Sequence, residues 1–263
     1  MVFLPLLIFG FGLIVGSFLN VVILRLNTGR SALHGRSKCP RCNTTLSWYE
    51  LIPVFSFLFQ KGKCRSCNTT ISFQYPLIEL LTGLLFTFLY TKIVITGDFS
   101  TIAWITFIFT SILAALLIII TVYDLRHKII PDKIVYPFIM LSFASIVWKT
   151  ATVPGFFVYP YLLAGFLLAA PFFFLWFFSK GRLMGFGDIK LALGIGWLVG
   201  LMGAFTVFLL SFWMGAIVGV FLIALSKSYG MKSEIPFAPF LLAALFLVGV
   251  CGVSMSTLFP LWP

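Results

Sequence analysis

Acidic residues are scarce in this chain: 7 Asp and Glu stand among 263 residues, against 18 Lys and Arg. Charge of either sign makes up 10% of the sequence, where a soluble globular domain carries roughly 25%. Histidine is nearly absent, with only His34 and His127, so a paired-His metal site has no parts and a Ser/His/Asp triad has no GxSxG context. No P-loop or dinucleotide fingerprint occurs either. What fills the composition is apolar: 61% hydrophobic residues, 32 Phe and a mean hydropathy of +1.11. These numbers exclude an ordinary soluble protein and predict an all-α polytopic membrane protein. The net charge of +11 does not indicate a nucleic-acid partner, because such binders carry basic stripes on a polar surface, and here charge is missing over long runs.

Those charge-free runs lie at 2–24, 80–91, 99–123, 134–148, 150–179, 191–226 and 235–263. A helix needs about 20 apolar residues to cross a bilayer core. The run 191–226 would make a helix of about 54 Å at 1.5 Å per residue, so a break is expected near Gly200 to Gly203. About eight spans follow, near 3–24, 77–96, 102–122, 134–149, 159–178, 186–200, 204–225 and 237–258. The first is read as a retained helix, since no basic region precedes it and Arg25 follows at once. Eight spans leave both termini on one face. All but Lys92 and Lys149 of the 18 basic residues fall on the other: the loop after the first span carries eight of them, and Arg126, Lys128, Lys133, Lys180, Arg182, Lys190, Lys227 and Lys232 follow spans three, five and seven. The positive-inside rule makes that face cytoplasmic and puts both termini outside.

The one sizeable polar region lies between the first two spans and contains Cys39, Cys42, Cys64 and Cys67 in the pattern C-x2-C-x21-C-x2-C. Paired CxxC knuckles can set four thiolates tetrahedrally around one zinc ion, and a cytosolic face disfavours structural disulfides. A small zinc ribbon is expected, its folding driven by a structural zinc. Redox-active or free thiols are the alternative. The apolar stretch 48–55 between the knuckles could either seal the ribbon or lie on the membrane surface. Cys251, alone in the last span, is read as packing.

With so few acids each can be weighed. Asp98 is expected to be solvated, Glu50 and Glu79 structural, Asp132 a cap opening span four, and Glu234 a helix-start residue. Asp124 and Asp188 remain, one ending span three and one beginning span six, both at the cytoplasmic boundary. Two carboxylates brought together share a proton, so one can act as general base on water while the other donates to a carbonyl oxygen. That is aspartic-protease chemistry. Gly185 and Gly187 precede Asp188 and are expected to let a substrate backbone approach. Glycines at 194, 196, 215 and 219 are read as close helix packing.

Taken together, these residues resemble the type IV prepilin peptidases. The resemblance runs through Gly16 to Ile23 with Arg25, both CxxC knuckles, 48–53, 71–76 with Glu79, Asp124 with 130–132, and Gly185 to Leu191. One departure is Ala238, where the family usually has Gly. The resemblance implies Asp124 and Asp188 as the catalytic dyad and the four cysteines as zinc ligands. It further implies prepilin or pseudopilin substrates, cleavage after a short basic leader, and N-methylation using S-adenosylmethionine, for which no contact residues are identified. The implied organisation is a first transmembrane helix at 1–24, a cytoplasmic zinc domain at 25–76 and a transmembrane peptidase domain at 77–263, in the bacterial cytoplasmic membrane.

Two other readings fit part of the pattern. Another GxGD protease, of signal-peptide-peptidase type, or a preflagellin peptidase would share the two aspartates without the four-cysteine loop. A non-catalytic scaffold or ion carrier would use them as a proton or cation site, but carriers are often built from internal repeats, and none accompanies these boundary acids.

Overall fold

The computed structural model describes residues 3–225 and 235–258. Among the described residues the chain is helical, with α1 Phe3–Arg25, α2 Phe55–Phe59, α3 Gln74–Tyr90, α4 Thr101–His127, α5 Asp132–Thr152, α6 Val158–Ser179, α7 Phe186–Leu225, α8 Ala238–Gly249 and α9 Met255–Leu258. A 3-10 turn at Trp48–Leu51 and a wider π-helical turn at Thr91–Ile95 complete the set. No strand occurs among the described residues; two isolated antiparallel bridges, Lys38 with Thr45 and Lys63 with Thr70, stand in the cysteine loop.

Among the described residues, six helices are long and apolar enough to cross a membrane: α1, α3 with its π turn, α4, α5, α6 and α7. The 40-residue α7 is interrupted where the break is expected, since Gly200 leaves helical geometry at φ 73°, ψ −178°, a conformation essentially confined to glycine. The carbonyl of Leu198, just before the break, accepts from Lys149 Nζ at 2.7 Å. The ammonium thereby serves a backbone acceptor next to the interruption. The last expected span, 237–258, is not one long helix: α8 ends at Gly249 after 12 residues, and Gly252 adopts φ 73°. Cys251 therefore lies beyond α8 and is exposed rather than packed. Lys227, Lys232 and Glu234 lie outside the described residues.

The chain divides into two compact units, 1–119 and 120–263, with the division inside α4. In the first, α1 lies against α3 at backbone distance. A Cβ on Gly12 would fall 2.7 Å from Gly83 Cα, and one on Gly16 would fall 2.7 Å from Glu79 Cα. Small residues four apart permit such an approach in apolar surroundings. At the end of this contact Asn20 donates to the carbonyls of Gly16 and Tyr75 and accepts from Gln74, which ties the polar end of α1 to the start of α3.

In the second unit α7 packs on α5, α6 and α8. Gly194 and Gly196 fill the packing role expected of them, since added Cβ atoms would lie 2.6 Å from the Phe138 ring and 2.5 Å from the Ala164 carbonyl. Gly215 and Gly219 are less confined, with nearest neighbours at 3.4 and 3.7 Å. A cluster of rings from Phe172, Phe208, Phe212 and Phe237 joins α6, α7 and the start of α8.

Candidate active site and metal centre

Asp124 lies in the last turn of α4, which ends when Lys128 turns to φ 55° and its N–H donates to the Asp124 carbonyl at 2.7 Å. Its carboxylate is buried, and Oδ2 accepts from the Ala238 backbone N–H at 3.2 Å. Ala238 is the first residue of α8, so the carboxylate caps an N-terminus with free amide donors. The surrounding sequence isolates this donor: Pro239 has no N–H, and the next two amides, of Phe240 and Leu241, both donate to Phe237.

Asp188 sits in the first turn of α7, where its N–H donates to the Gly185 carbonyl at 3.3 Å. It is the residue on which the charge of Asp124 acts. Its Oδ1 is the only carboxylate oxygen among the described residues that is buried with no hydrogen-bond partner. Such an atom is costly unless a proton, a substrate or a solvent molecule serves it.

The two preceding glycines differ in purpose. A Cβ on Gly187 would meet Ile130 Cβ at 2.7 Å, so glycine there lets the start of α7 press against the 130–132 turn. A Cβ on Gly185 would meet only Asp188 Oδ2 at 3.5 Å and the Gly187 nitrogen at 3.9 Å. The space beside the Asp188 carboxyl is thus left open by Gly185, whereas Gly187 is a packing residue.

Asp132 opens α5, but its carboxylate does not serve as the cap. Its Oδ1 accepts from Lys190 Nζ at 2.6 Å, a bridge between the beginnings of α5 and α7. The ammonium also rests over the rings of Tyr136 and Phe186, at 4.6 and 5.3 Å from their centroids. Lys190, two residues from Asp188, is therefore committed elsewhere. Glu79 is buried and accepts the Val54 N–H at 2.7 Å, and Glu50 accepts the Ser47 N–H at 2.8 Å, closing a capping box. Asp98 is exposed.

In the other unit, one ligand sulfur from each of Cys39, Cys42, Cys64 and Cys67 lies within 4.8 Å of the rest. The Cys39 to Cys67 separation is 3.8 Å, close to the edge of a tetrahedron with zinc–sulfur bonds of about 2.3 Å. The donor set thus fits one zinc ion. The two knuckles are built alike. Each reads Lys-Cys-x-x-Cys-Asn-Thr-Thr, at 38–45 and again at 63–70. In each the Asn takes positive φ, 56° at Asn43 and 54° at Asn68, and its N–H donates to the first Cys carbonyl. In each the first Cys N–H bonds the first Thr carbonyl. This duplication was open to reading from the sequence by aligning the residues that flank the cysteines, beyond the cysteine spacing itself. Hydrogen bonds from the Thr69 hydroxyl and backbone lower the Cys67 thiol to about 6, and Thr44 lowers Cys42 in the same way. The thiolate, the form that ligates metal, is thereby favoured at Cys42 and Cys67, whereas the Cys39 thiol is shifted upward. Arg41 joins the knuckles by donating to Thr69 Oγ1 at 3.0 Å.

Comparison with known proteins gives a consistent result over nearly the whole chain. The family model of the bacterial peptidase A24 N-terminal domain matches residues 10–93, and that of the type IV leader peptidase family matches 111–220. Proteins named prepilin leader peptidase/N-methyltransferase are similar throughout. That of Bacillus subtilis is 34% identical over 260 residues, covering 96% of each chain. That of Aeromonas salmonicida is 31% identical over 278 residues, covering 95% of this chain and 91% of the relative. That of Myxococcus xanthus is 34% identical over 250 residues, covering 86% of this chain but only 65% of the longer relative. No solved structure matches the chain.

Proposed function

The chain belongs to the prepilin leader peptidase/N-methyltransferase family, and from that premise we propose that Asp124 and Asp188 are the dyad with which it hydrolyses the prepilin leader. The observation that carries this reading is the buried, unpartnered Oδ1 of Asp188 under the influence of the Asp124 charge. Two such carboxyls share one proton. The ionised member takes a proton from water as the water oxygen attacks the scissile carbonyl carbon. The protonated member donates to the carbonyl oxygen, which yields a tetrahedral diol. Collapse of the diol breaks the C–N bond, and the departing amine takes up a proton. The Ala238 N–H fixes one oxygen of Asp124 and leaves the other for water, while the open space beside Gly185 admits the substrate backbone.

The sidedness follows from the basic loops. The four-cysteine loop and both aspartates face the cytoplasm of a bacterial inner membrane, with the N-terminus outside, so the polar leader of a prepilin or pseudopilin meets the dyad where its apolar helix enters the bilayer. Zinc is structural, held by Cys39, Cys42, Cys64 and Cys67. It supplies folding energy to a loop too small for a core of its own. After cleavage the chain methylates the new N-terminal amine; S-adenosylmethionine, when bound, supplies a sulfonium-activated methyl group.

Asp124→Asn and Asp188→Asn each lower leader cleavage by about 10²–10⁴-fold or more, the range for losing a general acid or base, while the protein still accumulates in the membrane. Full cleavage by either variant refutes the dyad. Mass spectrometry of the product formed with S-adenosylmethionine present reads methylation directly, and an unmodified N-terminus would mean a peptidase alone.

A further inference from the structure

The apolar stretch inside the cysteine loop resolves into two faces. In α2, Phe57 turns inward: its ring lies 3.1 Å from where a Gly62 Cβ would be and packs edge-on against Phe73 at 6.2 Å. That ring links α2 to Gly62 and to Phe73 at the end of the loop. Its neighbours point the other way, with Phe55, Leu58 and Phe59 all exposed, Phe59 by 85%, and Trp48 exposed by 77% in the preceding turn. A loop that lived only in water would place polar residues there, since contiguous exposed apolar patches mark interaction surfaces.

Two further observations name the partner. The first is depth. Val54, which joins the 3-10 turn to α2, donates its N–H to Glu79 Oε2 at 2.7 Å, and Glu79 lies within the membrane-spanning helix α3, five residues after its start. The stretch is thereby pinned level with the first turns of α3, about 7 Å along its axis at 1.5 Å per residue. The pin holds an uncommon backbone, because Val54 is a β-branched residue at φ 63°. The second is charge. Lys61, Lys63 and Arg65 follow α2 directly, and Arg65 donates to the Tyr49 hydroxyl and covers its ring at 5.5 Å. The loop's one acid, Glu50, is turned back onto the Ser47 N–H. Exposed aromatics beside uncompensated bases are the composition of a segment lying in the plane of an anionic lipid interface.

We infer that Trp48–Phe59 is an interfacial anchor that inserts Trp48, Phe55, Leu58 and Phe59 among the acyl chains and headgroups of the anionic leaflet, and so holds the four-cysteine loop flat against the membrane. The inference rests on the reading of this loop as facing the anionic cytoplasmic leaflet.

The test uses the full chain in nanodiscs, which present both leaflets, so its outcome does not depend on sidedness in the cell. A fluorescent amino acid is incorporated at position 59, and in a second protein at Leu33, which is exposed by 79% in the same loop but outside the anchor. With phosphatidylglycerol present, doxyl-labelled lipid quenches the label at 59 several-fold more than that at 33, and aqueous acrylamide shows the reverse order. Replacing phosphatidylglycerol by phosphatidylcholine weakens the lipid quenching at 59. Equal quenching at the two positions overturns the inference, as does quenching at 59 that ignores lipid charge. Protection from both quenchers at 59 also overturns it, because the segment would then be packed on protein. Sidedness is read separately, by protease access to a tag at position 33 in intact and opened cells.

Discussion

The four-cysteine loop and the carboxylate pair are both polar centres in an apolar chain, yet they are assembled in opposite ways. Cys39 and Cys67 meet across 28 positions, inside one loop, through two copies of the same hydrogen-bonded turn. Asp124 takes its partner from Ala238, 114 positions away, and Asp188 comes from a third helix. A centre made from local turns carries its geometry in a short motif. One made from helix ends depends on how whole helices pack, and its geometry is spread over residues that have no chemistry of their own.

That contrast can be broken by exchange. Asp188→Asn, which removes cleavage, leaves about one zinc per chain, whereas Cys39→Ser with Cys64→Ser removes the zinc and exposes the loop to protease. Metal analysis of both proteins checks this, and zinc retained by the double variant would refute the metal site. The next effect is smaller and separates the two glycines. Gly187→Ala forces a methyl against Ile130 Cβ, which costs about 1–3 kcal/mol as overpacking, lowers the thermal midpoint and reduces cleavage with it. Gly185→Ala changes stability by less than about 0.5 kcal/mol but places a methyl 3.5 Å from Asp188 Oδ2, so KM or kcat for prepilin worsens at unchanged Tm. A fall in Tm for Gly185→Ala as large as that for Gly187→Ala would erase the distinction. The smallest effect on cleavage is expected furthest from chemistry. Lys149→Met leaves the Leu198 carbonyl unserved beside the Gly200 break, lowering stability by about 1–3 kcal/mol while cleavage per folded molecule stays at the parent level, as thermal unfolding in detergent alongside initial rates would show.

Much of this was open to reading in advance. The long apolar runs predict helices because nothing else satisfies the backbone in lipid, and α1, α4, α5 and α6 fall close to the expected limits. The break at Gly200 follows from length alone. Hydropathy reads the end of the chain as one span, because it does not register that α8 stops at Gly249 or that Gly252 turns to positive φ. Asp132 looked like a cap because of its position at a helix start, but an ammonium 58 residues away outcompetes the local amides for its oxygen. Glu79 is structural, as its place at the start of a span suggests, but its partner, the Val54 N–H, lies 25 positions away and no local pattern names it.

By itself the sequence determined the chemistry available: which few acids stand at span ends, which thiols come in pairs, and where charge forbids a helix from lying in lipid. These follow from composition and short-range spacing, which bind each residue to its neighbours. The tertiary structure alone decided what each polar atom meets: that Ala238 serves Asp124, that Gly187 exists for Ile130, and that Val54 is tied to α3. Such pairings depend on helices packed at van der Waals distance, where a few tenths of an ångström separate contact from clash and no local pattern records the neighbour.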